Sequence, residues 1–209
     1  MLIYDILDRV RERPALFVGK KRLTLLKSFL EGATFSAYML GIDSGYDDFS
    51  PIPFRFFNDY VAKYYNYEAT SGWGDMILSK TNGENETGVD AFYTLLDSFR
   101  SIAIAKIQKC ILTQEQIYYH MENEHAPKRL SLNDYNQTKP LFADPEAIYL
   151  IELSDDSGYL CLVESHNTSF LYSCLLRSRR CAIKYFKRNF SGSYHWHSAE
   201  SIPEKFEWV

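Results

Sequence analysis

The amino-acid sequence predicts an α+β fold, in which a helical N-terminal half is followed by a small antiparallel sheet with a C-terminal helix. Apolar residues recur at helical spacing through most of the first hundred residues, which indicates amphipathic helices. Residues 147–153 and 159–163 instead form two apolar runs around a polar turn, which indicates two paired strands. The basic segment 179–189 then predicts the last helix.

Four helices are predicted in the N-terminal half, over residues 4–12, 23–40, 54–65 and 89–99. Residues 13–19 are predicted to form an extended linker, because Pro14 disfavours the helical conformation of Arg13. Residues 42–53 and 81–88 are predicted loops. The inward face of the second helix is predicted to comprise Leu23, Leu26, Phe29, Leu30, Ala33, Ala37 and Leu40.

The order of the remaining segments suggests how the chain is organised. Residues 71–74 form a predicted turn before a short apolar piece at 76–78, and we expect Trp73 to be an anchor between the N-terminal helices. Residues 102–112 and 114–124 are predicted to be helical, and a third strand is predicted over 170–176. These elements predict a mainly helical region at 1–125, a linker at 126–145 and a small β-rich region at 146–209, unless the whole chain is one continuous domain.

Composition and charge narrow the class of protein. A chain that is 46% hydrophobic and 24% charged has the balance of a soluble globular protein. Its net charge of −4 is the opposite of what a basic nucleic-acid binder carries, so nucleic acid is not an expected partner. The N-terminus lacks the pattern of a signal peptide and no apolar stretch is long enough to cross a membrane, which predicts a cytoplasmic protein with no membrane partner.

Metal-binding and catalytic motifs are weak in this sequence. His120 and His125 are five residues apart, which does not place two ligands on one helix face, and their order with the glutamates differs from HExxH. His195 and His197 could share one face of a strand, with His166 as a third ligand, but paired histidines near a terminus are more often surface residues. We find no nucleophile elbow and no phosphate-binding glycine loop, and therefore predict no metal, no cofactor and no catalytic residue.

The cysteines show no pattern of a metal site or of a redox motif. Four scattered cysteines without a CxxC pair are predicted to be buried, reduced thiols: Cys110, Cys161, Cys174 and Cys181.

Residues 169–209 carry seven basic and three acidic residues, a local charge of +4, whereas residues 1–168 carry −8. The basic cluster in this segment comprises Arg177, Arg179, Arg180, Lys184, Lys187 and Arg188. It suits either contact with nucleic acid or a solvated helix face, and we favour the solvated face.

Five fragments of the first hundred residues occur in an order that resembles a known group of proteins. They are residues 13–19 (RPALFVG), 26–32 (LKSFLEG), 54–65 (FRFFNDYVAKYY), 71–73 (SGW) and 91–99 (AFYTLLDSF). The group consists of small bacterial proteins, some of them associated with immunity against polymorphic or contact-dependent growth-inhibition toxins. This resemblance implies a stable scaffold without catalytic residues, whose partner is a cognate toxin.

The leading hypothesis is therefore an immunity protein that binds and neutralises a toxin domain by occlusion. The alternatives are an enzyme of unknown type acting on nucleic acid and a regulatory interaction module. Two acidic turns are the predicted partner-binding surfaces, because loops tolerate functional residues and complementary charge speeds association. These turns contain Asp43, Tyr46, Asp47 and Asp48 in the first, and Asp155, Asp156 and Tyr159 in the second.

Overall fold

The computed structural model describes residues 3–40, 52–67, 71–116, 145–165, 170–190 and 192–201. The chain divides into two compact units, Met1–Ala103 and Ile104–Val209. The predicted α+β class is confirmed, because the first unit is helical and the second contains an antiparallel sheet with a helix.

All four helices predicted for the first unit are present, beginning within four residues of the predicted positions, together with two helices that were not predicted. They are α1 (Ile3–Glu12), α2 (Pro14–Phe17), α3 (Leu23–Met39), a 3₁₀ turn (Phe54–Phe56) that continues into α4 (Phe57–Tyr65), α5 (Trp73–Lys80) and α6 (Asn85–Arg100). The two helices that were not predicted are α2 and α5. The predicted loop at 42–53 lies outside the described residues, except for its last two.

Three segments predicted to be non-helical are at least partly helical, and one of them is the predicted turn at 71–74, in which Trp73 and Gly74 begin α5. The predicted linker contains α2, because a proline in the first turn of a helix lacks only an N–H that has no helical partner there. The predicted loop at 81–88 is shorter, because α6 already begins at Asn85.

Gly88 lies inside α6, where an added β-carbon would be 3.1 Å from the Leu23 side chain. A glycine here therefore allows close helix packing.

Aromatic side chains form the core of the helical unit. Phe57 is fully buried, and its ring lies 5.3 Å from that of Phe92 and 5.5 Å from that of Phe99. The Trp73 ring lies 4.8 Å from Phe92 and 6.0 Å from Phe57. Trp73 therefore connects α5 to α4 and α6 as predicted, although it is only half-buried.

The second unit is built on a five-stranded antiparallel sheet in the order β4-β3-β2-β1-β5. Its elements are β1 (Ile104–Ile111), β2 (Pro145–Leu153), β3 (Tyr159–Ser165), β4 (Phe170–Leu176), α7 (Arg179–Asn189) and β5 (His197–Ser198). On one face Ile148, Leu150 and Val163 pack with Phe186 and Phe190 of the α7 region. The same strands are buried on the other face, through Tyr149, Ile151 and Leu162.

The prediction of a helix over 102–112 is wrong, because residues 104–111 form β1. This strand pairs with β2 on one side and β5 on the other. The division between the two compact units falls after Ala103, so β1 belongs to the second unit. Most of the predicted helix at 114–124 and of the predicted linker at 126–145 lies outside the described residues.

Candidate functional site

The acidic turn between β2 and β3 is at the surface. Asp155 and Asp156 are both exposed, and both have a φ of 54°, a left-handed conformation that Asp tolerates better than most residues. The Ser154 hydroxyl donates a hydrogen bond of 3.3 Å to the Asp155 carboxylate. The turn thus presents two carboxylates to the solvent on a short, structured segment.

Tyr159 lies beside these carboxylates at the start of β3. Its side chain is half-buried and packs against the core under α7. Burial and the neighbouring Glu152, to which its hydroxyl bonds, raise the pKa of Tyr159, while Arg179 partly opposes the shift. The structure therefore brings the predicted residues Asp155, Asp156 and Tyr159 together. The other predicted set, Asp43, Tyr46, Asp47 and Asp48, lies outside the described residues.

An exposed apolar face on α3 was not foreseen in the sequence. Leu23, Leu26 and Leu30 are buried as predicted, but Phe35 and Met39 are 62% and 64% exposed. The positions 25, 32, 35 and 39 share one side of a helix by spacing, and we call Leu25, Gly32, Phe35 and Met39 the α3 apolar face. A β-carbon added at Gly32 would meet nothing within 4 Å, so this surface is open.

Leu40 differs from its prediction. It was expected to face inward as the last apolar position of the second helix, yet it is 71% exposed. Leu40 directly follows α3, and its N–H still donates a hydrogen bond of 3.1 Å to the Ser36 carbonyl, so its side chain lies at the end of the helix on a surface that the described residues leave uncovered. A helix with apolar residues all round its surface is the signal that could have revealed the exposed face, because such helices are buried or contact a partner.

Helix α7 presents a second distinctive surface, which is basic. Ala182 and Phe186 face the core, whereas Arg179, Arg180, Lys184, Lys187 and Arg188 are exposed. Cys181 is also exposed on this helix, which corrects the prediction that it is buried; Cys110 and Cys161 are buried free thiols as expected. The side chain of Cys174 lies outside the description.

A partly buried ion pair lies on the face of the sheet opposite α7. The Lys109 ammonium is 2.9 Å from the Glu164 carboxylate, which also accepts a hydrogen bond of 3.0 Å from the Tyr149 hydroxyl. Burial lowers the pKa of Lys109, but hydrogen bonds with Tyr149 and Glu164 and the attraction of the carboxylate outweigh it, so the pKa is raised above 10.5. A lysine held in its charged form is a poor nucleophile, and this cluster is suited to structure rather than catalysis.

The helical unit contains a cavity of about 430 Å³ between α1, α3 and α6. Two of its cations are already paired, Arg11 with Asp97 at 2.8 Å and Lys21 with Asp90 at 2.6 Å. Burial raises the pKa of Tyr93, which also lines the cavity, to about 12. The lining residues include no histidine, cysteine or serine, so the cavity offers no nucleophile with an adjacent imidazole base.

The described residues contain neither a metal-binding cluster nor a membrane-spanning helix. No group of three or more histidine, cysteine, aspartate or glutamate side chains among them could hold a metal ion. His195 and His197 are exposed, while His120, His125 and His166 lie outside the description. None of the described helices combines the length and apolar character needed to cross a membrane.

Comparison with known proteins gave no match: no protein-family model, no curated protein and no solved structure is significantly similar to this chain.

Proposed function

We propose that this protein is a bacterial immunity protein, which acts in the cytoplasm by binding a cognate toxin domain and occluding its active or substrate-binding surface. The order of sequence fragments in the first hundred residues supports this class of protein. The observation that carries the proposal is the α3 apolar face, since a rigid helix that exposes large apolar side chains is typical of a protein-binding surface.

The position of the α3 apolar face suits tight binding. Its backbone is held by the buried side of the same helix, where Leu23, Leu26 and Leu30 are at most 3% exposed. The partner would therefore meet a surface that loses little backbone freedom on binding. Aromatic and methionine side chains are enriched in protein interfaces, and Phe35 and Met39 supply one of each.

The mode of action distinguishes this proposal from an enzymatic one. An immunity protein that works by occlusion inhibits its toxin in a one-to-one ratio, because each copy covers one toxin molecule. An enzyme that reverses toxic damage would protect with far less than one copy per toxin molecule, because each copy acts repeatedly. Titrating the purified protein against the toxic activity of the product of the adjacent reading frame, and locating the end point, separates the two classes.

The α3 apolar face is tested by the double variant Phe35→Gln/Met39→Gln, which keeps residues that favour helices. We expect this variant to bind the co-expressed toxin at least about 100-fold more weakly, because each anchor of an interface contributes about 2 kcal/mol or more. Pull-down followed by calorimetric titration measures the change.

The matched control is Leu16→Gln/Ile111→Thr, which changes two side chains of similar exposure, 72% and 61%, outside this face. This control should bind the toxin like the wild type. Equal binding by the α3 variant and the wild type would reject the α3 face as the interface. Failure of the wild type to capture or inhibit the neighbouring gene product would reject the immunity function itself.

A further inference from the structure

We propose that the outward side of α7 binds the phosphodiester backbone of duplex nucleic acid without reading its sequence. We call Arg180, Lys184, Lys187 and Arg188 the α7 basic face; all four are exposed. This inference is independent of the proposed function. It also revises the expectation from net charge, because a phosphate backbone responds to the local charge of the surface that it meets.

The geometry of α7 holds these cations in a line. Arg180, Lys184 and Arg188 follow one another at intervals of four residues, which is about 6 Å of helix per step. The other side of the helix is anchored, because Ala182 and Phe186 are fully buried against the sheet. The Ser178 hydroxyl also accepts a hydrogen bond from the Cys181 amide and so caps the N-terminus. The basic face is therefore a fixed array.

Only part of the charge of α7 stabilises the helix, namely Lys187 and Arg188 in its last turn, where the helix dipole favours cations. The helix contains no acidic residue, and its first turn carries Arg179 and Arg180, where the helix dipole disfavours cations. None of the ion pairs found within the described part of the chain involves the α7 basic face. An external anion can therefore serve as the partner of these four exposed cations.

The composition of the surface favours nucleic acid over an acidic protein. Protein interfaces have an apolar, desolvated centre, yet none of the large exposed apolar side chains in the described residues lies on α7. Contacts to phosphates need only cations. The surface also favours a duplex over a single strand, which requires exposed rings for base stacking. Tyr185 is only half-buried, but its ring packs 5.6 Å from that of Phe186.

The test measures the anisotropy of a short fluorescein-labelled DNA duplex titrated with the full-length protein at several salt concentrations. We expect binding in low salt, with a slope of log K against log salt of about −2.7 to −3.6, since three to four phosphates would be neutralised. Arg180→Gln/Lys184→Gln/Arg188→Gln should weaken binding at least tenfold and flatten the slope. The control Arg9→Gln/Arg13→Gln/Lys20→Gln removes the same charge from exposed positions of the helical unit and should bind like the wild type.

Four outcomes would overturn the inference. They are no binding in low salt, equal loss in the α7 variant and its control, tighter binding of a single strand of equal charge, and equally tight, α7-dependent binding of polyglutamate. Circular dichroism and thermal melting of both variants show whether they are folded. Because the substitutions avoid the α3 apolar face, toxin capture by the α7 variant reports separately on the proposed immunity function.

Discussion

Glu164 is the more buried partner of the ion pair with Lys109, with 8% of its side chain exposed against 31% for the lysine. Removing one partner of a buried pair leaves the other charge without compensation, and the cost depends on how well water reaches that charge. The two single substitutions should therefore differ in their effect on stability.

We expect Lys109→Met to lower the free energy of unfolding by about 3–5 kcal/mol, because it leaves the Glu164 carboxylate buried without its cation. Glu164→Gln should cost less, about 1–2 kcal/mol, since water can reach Lys109 and the new amide can still accept a hydrogen bond from Tyr149. The double variant should be more stable than Lys109→Met alone. Urea unfolding of the four proteins measures these values, and additive effects would show that the pair is not coupled.

Tyr93 predicts a loss of stability in alkaline solution. Burial raises its pKa to about 12, against 10 for an ordinary tyrosine, and its hydroxyl donates a hydrogen bond of 3.2 Å to the Leu7 carbonyl. The folded state binds the Tyr93 proton more tightly than the unfolded state does. The resulting contribution to the free energy of unfolding is therefore complete below pH 10 and is lost as the pH rises towards 12. Thermal melting across this range should show a steeper decline for the wild type than for Tyr93→Phe, and parallel curves would contradict this assignment.

At the scale of single elements, the β2–β3 turn permits a test of charge that leaves the backbone unchanged. Asp155→Asn/Asp156→Asn removes both charges but keeps a residue type that tolerates a φ of 54°. The free energy of unfolding should change by no more than about 0.5 kcal/mol, because both side chains are exposed.

If the turn attracts a basic toxin, this variant should associate more slowly at low salt, and the difference should shrink as salt screens the field. The control Glu12→Gln/Glu115→Gln neutralises two exposed acids elsewhere. Stopped-flow association rates over a range of salt concentrations measure the effect. Equal rates for the turn variant and the wild type would exclude this turn from the toxin-binding surface.

The elements differ in how well their sequence predicts them. The strand β4 and the helix α7 have the predicted bounds, because polar residues end each apolar run and Ser178 caps the helix. The strand β1 was mistaken for a helix because its exposed and partly buried positions do not alternate, and pairing with β2 decides its conformation instead.

The candidate surfaces likewise differ in how well the sequence predicts that they are exposed. Exposure of Asp155 and Asp156 follows from turn chemistry, which is local and visible in the sequence. Exposure of Phe35 and Met39 depends on which side of α3 the rest of the helical unit covers. That choice is made by tertiary packing, and an apolar residue in a helix does not reveal it.

At the scale of the whole chain, the boundary between the two units has a measurable consequence. The contacts that close the helical unit lie within its first hundred residues, such as the ion pairs Arg11–Asp97 and Arg100–Asp8 at 2.8 Å and 2.6 Å. We therefore expect a fragment of residues 1–103 to be monomeric and helical, with a cooperative thermal transition measured by circular dichroism. A fragment that is unfolded alone would contradict this expectation.

The choice of boundary also predicts which C-terminal fragment stays soluble. β2 lies between β1 and β3 and pairs with β1 over seven residue pairs. A fragment that starts at 104 keeps β1, whereas one that starts at 126 leaves the apolar β2 with an open edge, which favours aggregation. Fragment 104–209 should accordingly remain in solution at concentrations at which 126–209 precipitates, as measured by sedimentation and light scattering. Equal solubility of the two would show that β1 is not needed to protect β2, and would favour the boundary at 125 over the one at 103.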